Sequence, residues 1–441
     1  MKTMIIGLAL ALSVAAVAAD WPQYAGINRD NVSAETGLAG SWPSAGPKVL
    51  WETKVGDGYS GPAIVDGKAY LTDRDGEDSL LRCFEMKSGM ELWKVSFGDP
   101  GILKSKKYDG TRGTPTIADG KAYLVTSYGT FVCIDLKSQK VKWQHNLSKD
   151  YNQDICQFGI AQSPALYGNM VLVAPNSKEV GVAAYDCKSG ERLWTSKGLG
   201  FHSFVSPRIE KVCGQDMVIA VGSAEPEPRE TRRKHGEPKS EPAEPSTLEP
   251  CHIVGLSPKD GSVLWDYTNW RCKWAIPHPV ALADNHFFIT GGYDAGSAMI
   301  QIVKKTNGFE AKELYKTDDV GSQLHQPIQV GDHLFIGSNS NSRKDGLASF
   351  SLDGKLAWRT KDIDDAPNFE RGPFILADGK LIILDGKTGI LHLVKADPEK
   401  FQLLASAEMV EENDMAWAPL ALSDGRLLVR DWNTLKCVEL K

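Results

Sequence analysis

The 441-residue sequence predicts an all-β fold, an eight-bladed β-propeller of four-stranded blades, and three observations predict it. First, one local pattern recurs: a proline, a few apolar residues, an Asp/Asn-Gly turn, an apolar strand, a glycine turn, and a second apolar strand ending near Asp. A Lys/Ser/Gly turn and a closing Leu-Trp follow. Second, the closing aromatics Trp51, Trp93, Trp143, Trp194, Trp265, Tyr315 and Trp358 are spaced by 42, 50, 51, 71, 50 and 43 residues. A period in the forties to fifties, made only of strands, belongs to propellers, and the units lack helical periodicity. Third, opening prolines count eight units independently: Pro62, Pro115, Pro164, Pro207, Pro277 or Pro279, Pro327, Pro373 and Pro419.

The clearest unit is Gly113–Trp143, GTPTIADGKAYLVTSYGTFVCIDLKSQKVKW. It reads as strands over Thr114–Ala118, Lys121–Ser127 and Thr130–Asp135, with a fourth beginning at Val141. Asp119-Gly120 is a two-residue hairpin turn. The seventh unit closes on Phe401 and Leu403-Leu404 instead of Trp. The eighth stops at Lys441 without a fourth strand, whereas Val49–Val55, around Trp51, is a fourth strand without its first three. Pairing the two removes two open edges, so the ring is expected to close with the N-terminal strand completing the last blade.

Segments such as VAAYDCKSGERLW, ending at Trp194, and LRCFEMKSGMELW, ending at Trp93, resemble the pyrroloquinoline quinone (PQQ)-type propeller repeat. The resemblance runs from Val49 to the end. It implies a family that holds PQQ-dependent dehydrogenases and also cofactor-free scaffolds such as the outer-membrane assembly lipoprotein. The repeat specifies the fold and does not choose between those functions.

Residues 1–19 read as a signal peptide: Lys2, an apolar run over Met4–Ala16, then Val17-Ala18-Ala19 before Asp20. The run is short for a membrane span, and no cysteine follows to carry a lipid. A periplasmic or secreted monomer with no transmembrane segment after signal removal is expected. The net charge of −6, with both signs mixed throughout, gives no basic patch for nucleic acid.

Residues 20–47 read as an irregular N-terminal arm, and 48–441 as the propeller. The arm contains Trp21-Pro22, Gly26-Ile27-Asn28-Arg29-Asp30 and Trp42-Pro43, and is similar to the lead-in of many exported PQQ-like proteins. Trp21 and Trp42 are expected to fasten it to the ring; a substrate role for Asn28-Arg29-Asp30 is the alternative. Residues 223–250, rich in Pro and Glu, carry too little apolar surface for a core. They read as a disordered insertion between strands of blade four. Their basic knot, from Arg229 to His235, is either a plain surface excursion or a dock for an acidic partner.

Of eight cysteines, Cys83, Cys133 and Cys437 hold equivalent third-strand positions. They are expected to be small buried residues between blades, too far apart for a bridge. Cys156 and Cys272, both in loops entering a blade, leave one bridge open.

A ligand site is expected at the channel mouth, where loops lead into each first strand. The residues just before the opening prolines include Arg112, Gln162, His202, Trp274, His325, Glu370, Arg371 and Trp417. Such a ring can hold an anionic or sugar-like ligand by charged hydrogen bonds and stacking. The plain alternative is that these groups bond loop backbones and plug the channel. His202 and His325 as metal ligands were weighed against their separation by a blade, and no metal site is expected. There is no GxSxG nucleophile elbow and no CxxCH haem motif. The expected function is a non-catalytic scaffold for a protein or an envelope or extracellular polysaccharide, with no cofactor. One alternative is a PQQ-dependent alcohol or aldose dehydrogenase using PQQ with calcium; the adjacent Cys-Cys pair that the family places against the quinone is missing. The other is a hydrolase or lyase using Glu370, His202 and Arg371 on a carbohydrate.

Overall fold

The computed structural model describes residues 20–98, 103, 109–153, 155–200, 203–223, 250–339, 344–411 and 415–441. The signal-peptide reading of residues 1–19 and most of the insertion therefore lie outside the described residues, as does His202.

Eight antiparallel sheets follow one another around the ring. Blade 1 is Ala63–Val65, Lys68–Asp75, Asp78–Glu85 and Glu91–Ser96. Blade 2 is Thr116–Ala118, Lys121–Val125, Thr130–Asp135 and Lys140–Asn146. Its first strand starts later than the sequence indicates because Pro115 has no N–H to donate. Its second ends earlier because the Thr126 hydroxyl takes the Thr130 N–H at 3.1 Å and tightens the turn. Blades 3 to 7 repeat the plan, with first strands at Ala165–Tyr167, Arg208–Val212, Val280–Leu282, Ile328–Val330 and Phe374–Ala377.

Blade 8 is Ala421–Ser423, Arg426–Arg430 and Thr434–Glu439, completed by Val49–Lys54 from the other end of the chain. The closing pair runs antiparallel, with Trp51 opposite Cys437 and Lys54 opposite Thr434. The insertion falls between the second and third strands of blade 4, where Gly222 pairs with His252 across its ends. Among the described residues, no helix is long and apolar enough to cross a membrane.

The cores lie between neighbouring blades. Tyr70, Leu81 and Cys83 of blade 1, for example, pack on Ala122, Leu124, Val132 and Ile134 of blade 2. Cys83, Cys133 and Cys437 are fully buried, and the structure shows all eight cysteines in the unbridged state. The bridge left open between Cys156 and Cys272 is not formed: the Cys156 thiol turns to Gly159 O, while Cys272 lies against Cys251.

The closing aromatics explain the motif. The Trp143 indole donates to Cys187 O at 3.4 Å and covers Gly190, where an added Cβ would come within 2.6 Å of the ring. Trp51 does the same on Met86 O and Gly89, and Trp194 on Pro258 O and Gly261. In these three cases the ring from one blade caps the glycine turn of the next. Those glycines also hold positive φ, 73° at Gly89 and 76° at Gly190, which a side chain disfavours. Trp265 departs from the pattern: its indole meets Met217 Sδ.

A plugged channel and an arginine- and aromatic-lined mouth

The arm is more than a fastening. It enters the channel and crosses it. Trp21 exchanges backbone hydrogen bonds with Ile64 of blade 1, both 2.8 Å, and Pro22 O accepts from Ile117 of blade 2. Tyr24 stacks on His278 at the entry to blade 5, rings 5.5 Å apart. Val32–Ser33 pairs in parallel with Leu376–Ala377 of blade 7, adding a fifth strand to that sheet. Ala39 N reaches Leu440 O of blade 8.

Arg29 is the pivot. Its guanidinium donates to the carbonyls of Pro164, Ser163 (3.4 Å) and Pro207 (3.2 Å), spanning blades 3 and 4. Its own carbonyl accepts from Gln326 at the entry to blade 6, 2.8 Å away, and from Arg208 at 2.9 Å. Burial, reinforced by Arg208, pulls its pKa down to about 9. Arg29 thus has a structural occupation, tying the arm to blades 3, 4 and 6. Arg29 and its neighbours divide the channel. On the far side lies a cavity of about 540 Å³, lined by arm residues and the first strands of blades 2 to 4. On the mouth side lie two connected chambers of about 170 and 130 Å³, which share Arg112, Phe204 and Trp417.

Five residues expected at the mouth face these chambers: Arg112, Trp274, His325, Arg371 and Trp417. The Arg112 guanidinium sits 4.5 Å over the Tyr59 ring, and that ring stacks on Trp417 at 5.8 Å. Arg371 sits 5.6 Å over Trp417 from the other direction. Two cations thus flank a pair of stacked rings, an arrangement that holds the long side chains in place. Burial lowers the Arg112 pKa. Trp274 completes an aromatic wall with Phe158 and Phe204, each with its centroid 5.9 Å away. His325 lines the inner chamber; burial pushes its pKa down to about 4, and Nε2 has no hydrogen-bond partner there.

Two expectations are corrected. Gln162 turns away from the chamber: its amide carbonyl accepts from Ala174 N at 2.9 Å and its amide N–H donates to Ala174 O, so it ties the loop to its own blade. Glu370 lines neither chamber; it forms an ion pair with Arg371, Oε1 to Nε 2.8 Å, and accepts from Asn368 Nδ2 at 3.2 Å. Both carry out the backbone and loop bonding weighed as the plain alternative. Sequence reasoning missed Tyr24, His278, Phe158, Phe204, Tyr293 and Gln323, which also line the chambers. Counting back from each proline selects one residue per loop, and Phe158 and Phe204 stand elsewhere on the same loops.

No Asp or Glu lines either chamber among the described residues. Both guanidinium groups, Arg112 and Arg371, line the outer chamber, and Glu370 pairs with Arg371 from outside it. Among the described residues there is also no group of three or more His, Cys, Asp or Glu placed to hold a metal.

Fold and mouth together define an eight-bladed propeller with a plugged channel and a polar, aromatic entrance. Its repeats resemble those of PQQ-like propellers: residues 77–269, less than half of the chain, match the family model described as outer membrane protein assembly factor BamB. Curated relatives fall on both sides of the family. Over 134 residues the chain is 28% identical to the quinoprotein alcohol dehydrogenase PedH of Pseudomonas putida, covering 30% of this chain and 21% of that one. Over 104 residues it is 27% identical to BamB of Salmonella typhimurium, covering 22% and 26%. The chain thus spans about a quarter or less of the length of these relatives. Among solved structures, the quinohemoprotein alcohol dehydrogenase of Comamonas testosteroni superposes with a TM-score of 0.64 at 14% identity, covering 96% of this chain and 80% of that one. BamB of Moraxella catarrhalis superposes at 0.58 and 12% identity, covering 89% and 99%. At these identities the superpositions speak for the fold.

Proposed function

We propose that this chain is an exported, non-catalytic PQQ-like propeller, closer in role to the scaffold branch than to the dehydrogenases, which binds a protein or polysaccharide through its channel mouth. The observation that carries the reading is the pair of guanidinium groups, Arg112 and Arg371, stacked on Tyr59 and Trp417 at a rim where, among the described residues, no acid lines the chambers. Such a rim suits an anionic group seated against a flat apolar face. The likeness to BamB and the signal-like leader support an envelope or extracellular setting.

PQQ would be the family's alternative occupant, and the residues present fit it poorly. The indoles and guanidinium groups could flank a flat acidic quinone. However, the sequence has no adjacent cysteine pair, and the described residues offer no acidic set for the calcium. No catalytic step is therefore drawn through it.

The deciding experiment pairs a PQQ and Ca²⁺ titration, read by tryptophan quenching, with a co-purification from envelope extract. The expected result is no stoichiometric PQQ binding, and a partner retained by wild type and lost by Arg112→Ala and Arg371→Ala at unchanged Tm. Tight PQQ binding, or a partner indifferent to both variants, sinks the reading.

A further inference from the structure

Cys251 opens the third strand of blade 4, and Cys272 lies in the loop that runs from blade 4 into blade 5. Both are buried, 0% and 1% exposed. The Cys272 N–H donates to Cys251 Sγ at 3.0 Å, and Cys251 Sγ donates to Cys272 O at 3.3 Å. A sulfur that close to a residue's backbone is one χ1 rotation from that residue's own sulfur, within the separation a disulfide needs. The Cys272 Sγ now points at Gly291, where an added Cβ would come within 2.8 Å of it. The repeat-equivalent Cys83, Cys133 and Cys437 sit in three separate blades.

The loop is pinned on both sides of Cys272. Cys251 N donates to Trp270 O at 3.1 Å, and the Trp270 indole to Ala295 O at 3.0 Å. Ala275 N donates to Ser223 Oγ at 2.9 Å, and Ala275 O accepts from Phe204 N at 2.9 Å. Between these anchors stands Trp274, the wall of the mouth.

We propose that Cys251 and Cys272 form a disulfide that locks the Trp274 loop to blade 4. Each thiol gives up its proton and the pair gives up two electrons; a disulfide oxidant, such as glutathione disulfide, takes them and leaves as two thiols. Both sulfurs are sealed from solvent, so the bond forms before the two blades finish packing and is protected afterwards. The proposal is independent of what the mouth binds.

The test is to refold the full chain in a glutathione redox buffer, denature it in iodoacetamide without reductant, and map the peptides. A linked pair containing Cys251 and Cys272, with Cys83, Cys133 and Cys437 alkylated, is the expected result. Two alkylated thiols at 251 and 272, or either one joined to a different cysteine, overturns it. Reduction is also expected to lower Tm by about 4 °C in the wild type. The Cys251→Ser/Cys272→Ser double variant should be indifferent to reductant; an equal drop in both would place the redox-sensitive bond elsewhere.

Discussion

Arg430 donates through one nitrogen to both the carbonyl (3.0 Å) and the hydroxyl (2.6 Å) of Ser60, across the seam where the ring closes. The same guanidinium reaches Thr72 O at 3.0 Å and Gly56 O at 2.9 Å. Arg430 belongs to blade 8 and its acceptors to the entry and second strand of blade 1, so one side chain joins the last blade made to the first. It is completely buried, and burial lowers its pKa to about 10, so it stays charged at neutral pH.

Replacing it should open that seam first. Arg430→Met keeps the bulk and strands the acceptors, at a cost of about 3 kcal/mol. Urea unfolding should show it, together with faster amide exchange in Thr434–Glu439 than in the strands of blade 4. Uniform exchange around the ring would contradict the localisation.

The closing rings predict a contrast between two glycines of similar backbone. Gly190 has φ of 76° and lies under Trp143, whereas Gly67 has φ of 68° and nothing within 4 Å of an added Cβ. Gly67→Ala should cost about 1 kcal/mol, the backbone term alone. Gly190→Ala adds a collision with the indole and should cost about 3 kcal/mol. Matched denaturant curves decide it; equal losses would remove the ring-on-turn explanation of the motif.

Arg29→Ala should loosen the plug. Three carbonyls at blades 3 and 4 lose their donor, a loss of about 2 kcal/mol. Limited proteolysis should then cut within residues 20–47 before it cuts the blades. An arm that stays resistant would mean that Tyr24 and the Val32–Ser33 pairing hold it unaided.

His325 gives the mouth a pH signature. Its pKa falls from 6.5 to about 4 on folding because burial disfavours the imidazolium. At pH 7 the ring is neutral in both states. As pH falls below 6.5 the unfolded chain takes the proton first, so stability declines until about pH 4 and levels off there. The full loss is about 3 kcal/mol. Tm against pH should slope less over that window in His325→Gln. An identical slope would move the effect to other groups, His392 among them, whose pKa is also lowered by burial to about 4.

The repeat made the ring legible from sequence. Glycine turns, alternating strands and closing aromatics are local signals, and every blade restates them. The Trp51 strand could be assigned to blade 8 because an unpaired fourth strand and an unfinished blade answer each other. The arm was illegible in its course because Arg29 finds its acceptors among carbonyls more than a hundred residues away, and carbonyls carry no sequence signature. The mouth was legible in composition and not in direction. Arg112 and Gln162 stand three and two residues before the opening prolines of successive blades, yet one faces the chamber and the other folds back on Ala174. Side-chain aim depends on the neighbour it meets, and a single repeat does not show its neighbour.

Each blade meets the arm or lies beside a residue that does: Ile64, Ile117, Pro164, Pro207, His278, Gln326, Leu376 and Leu440. The arm precedes the ring in the chain, so during synthesis it emerges first, when none of these seats exists. Its contacts with blades 7 and 8 become available only once those blades have been made. The ring must therefore assemble around a spindle already present, and the earliest part of the described chain is among the last to be fixed.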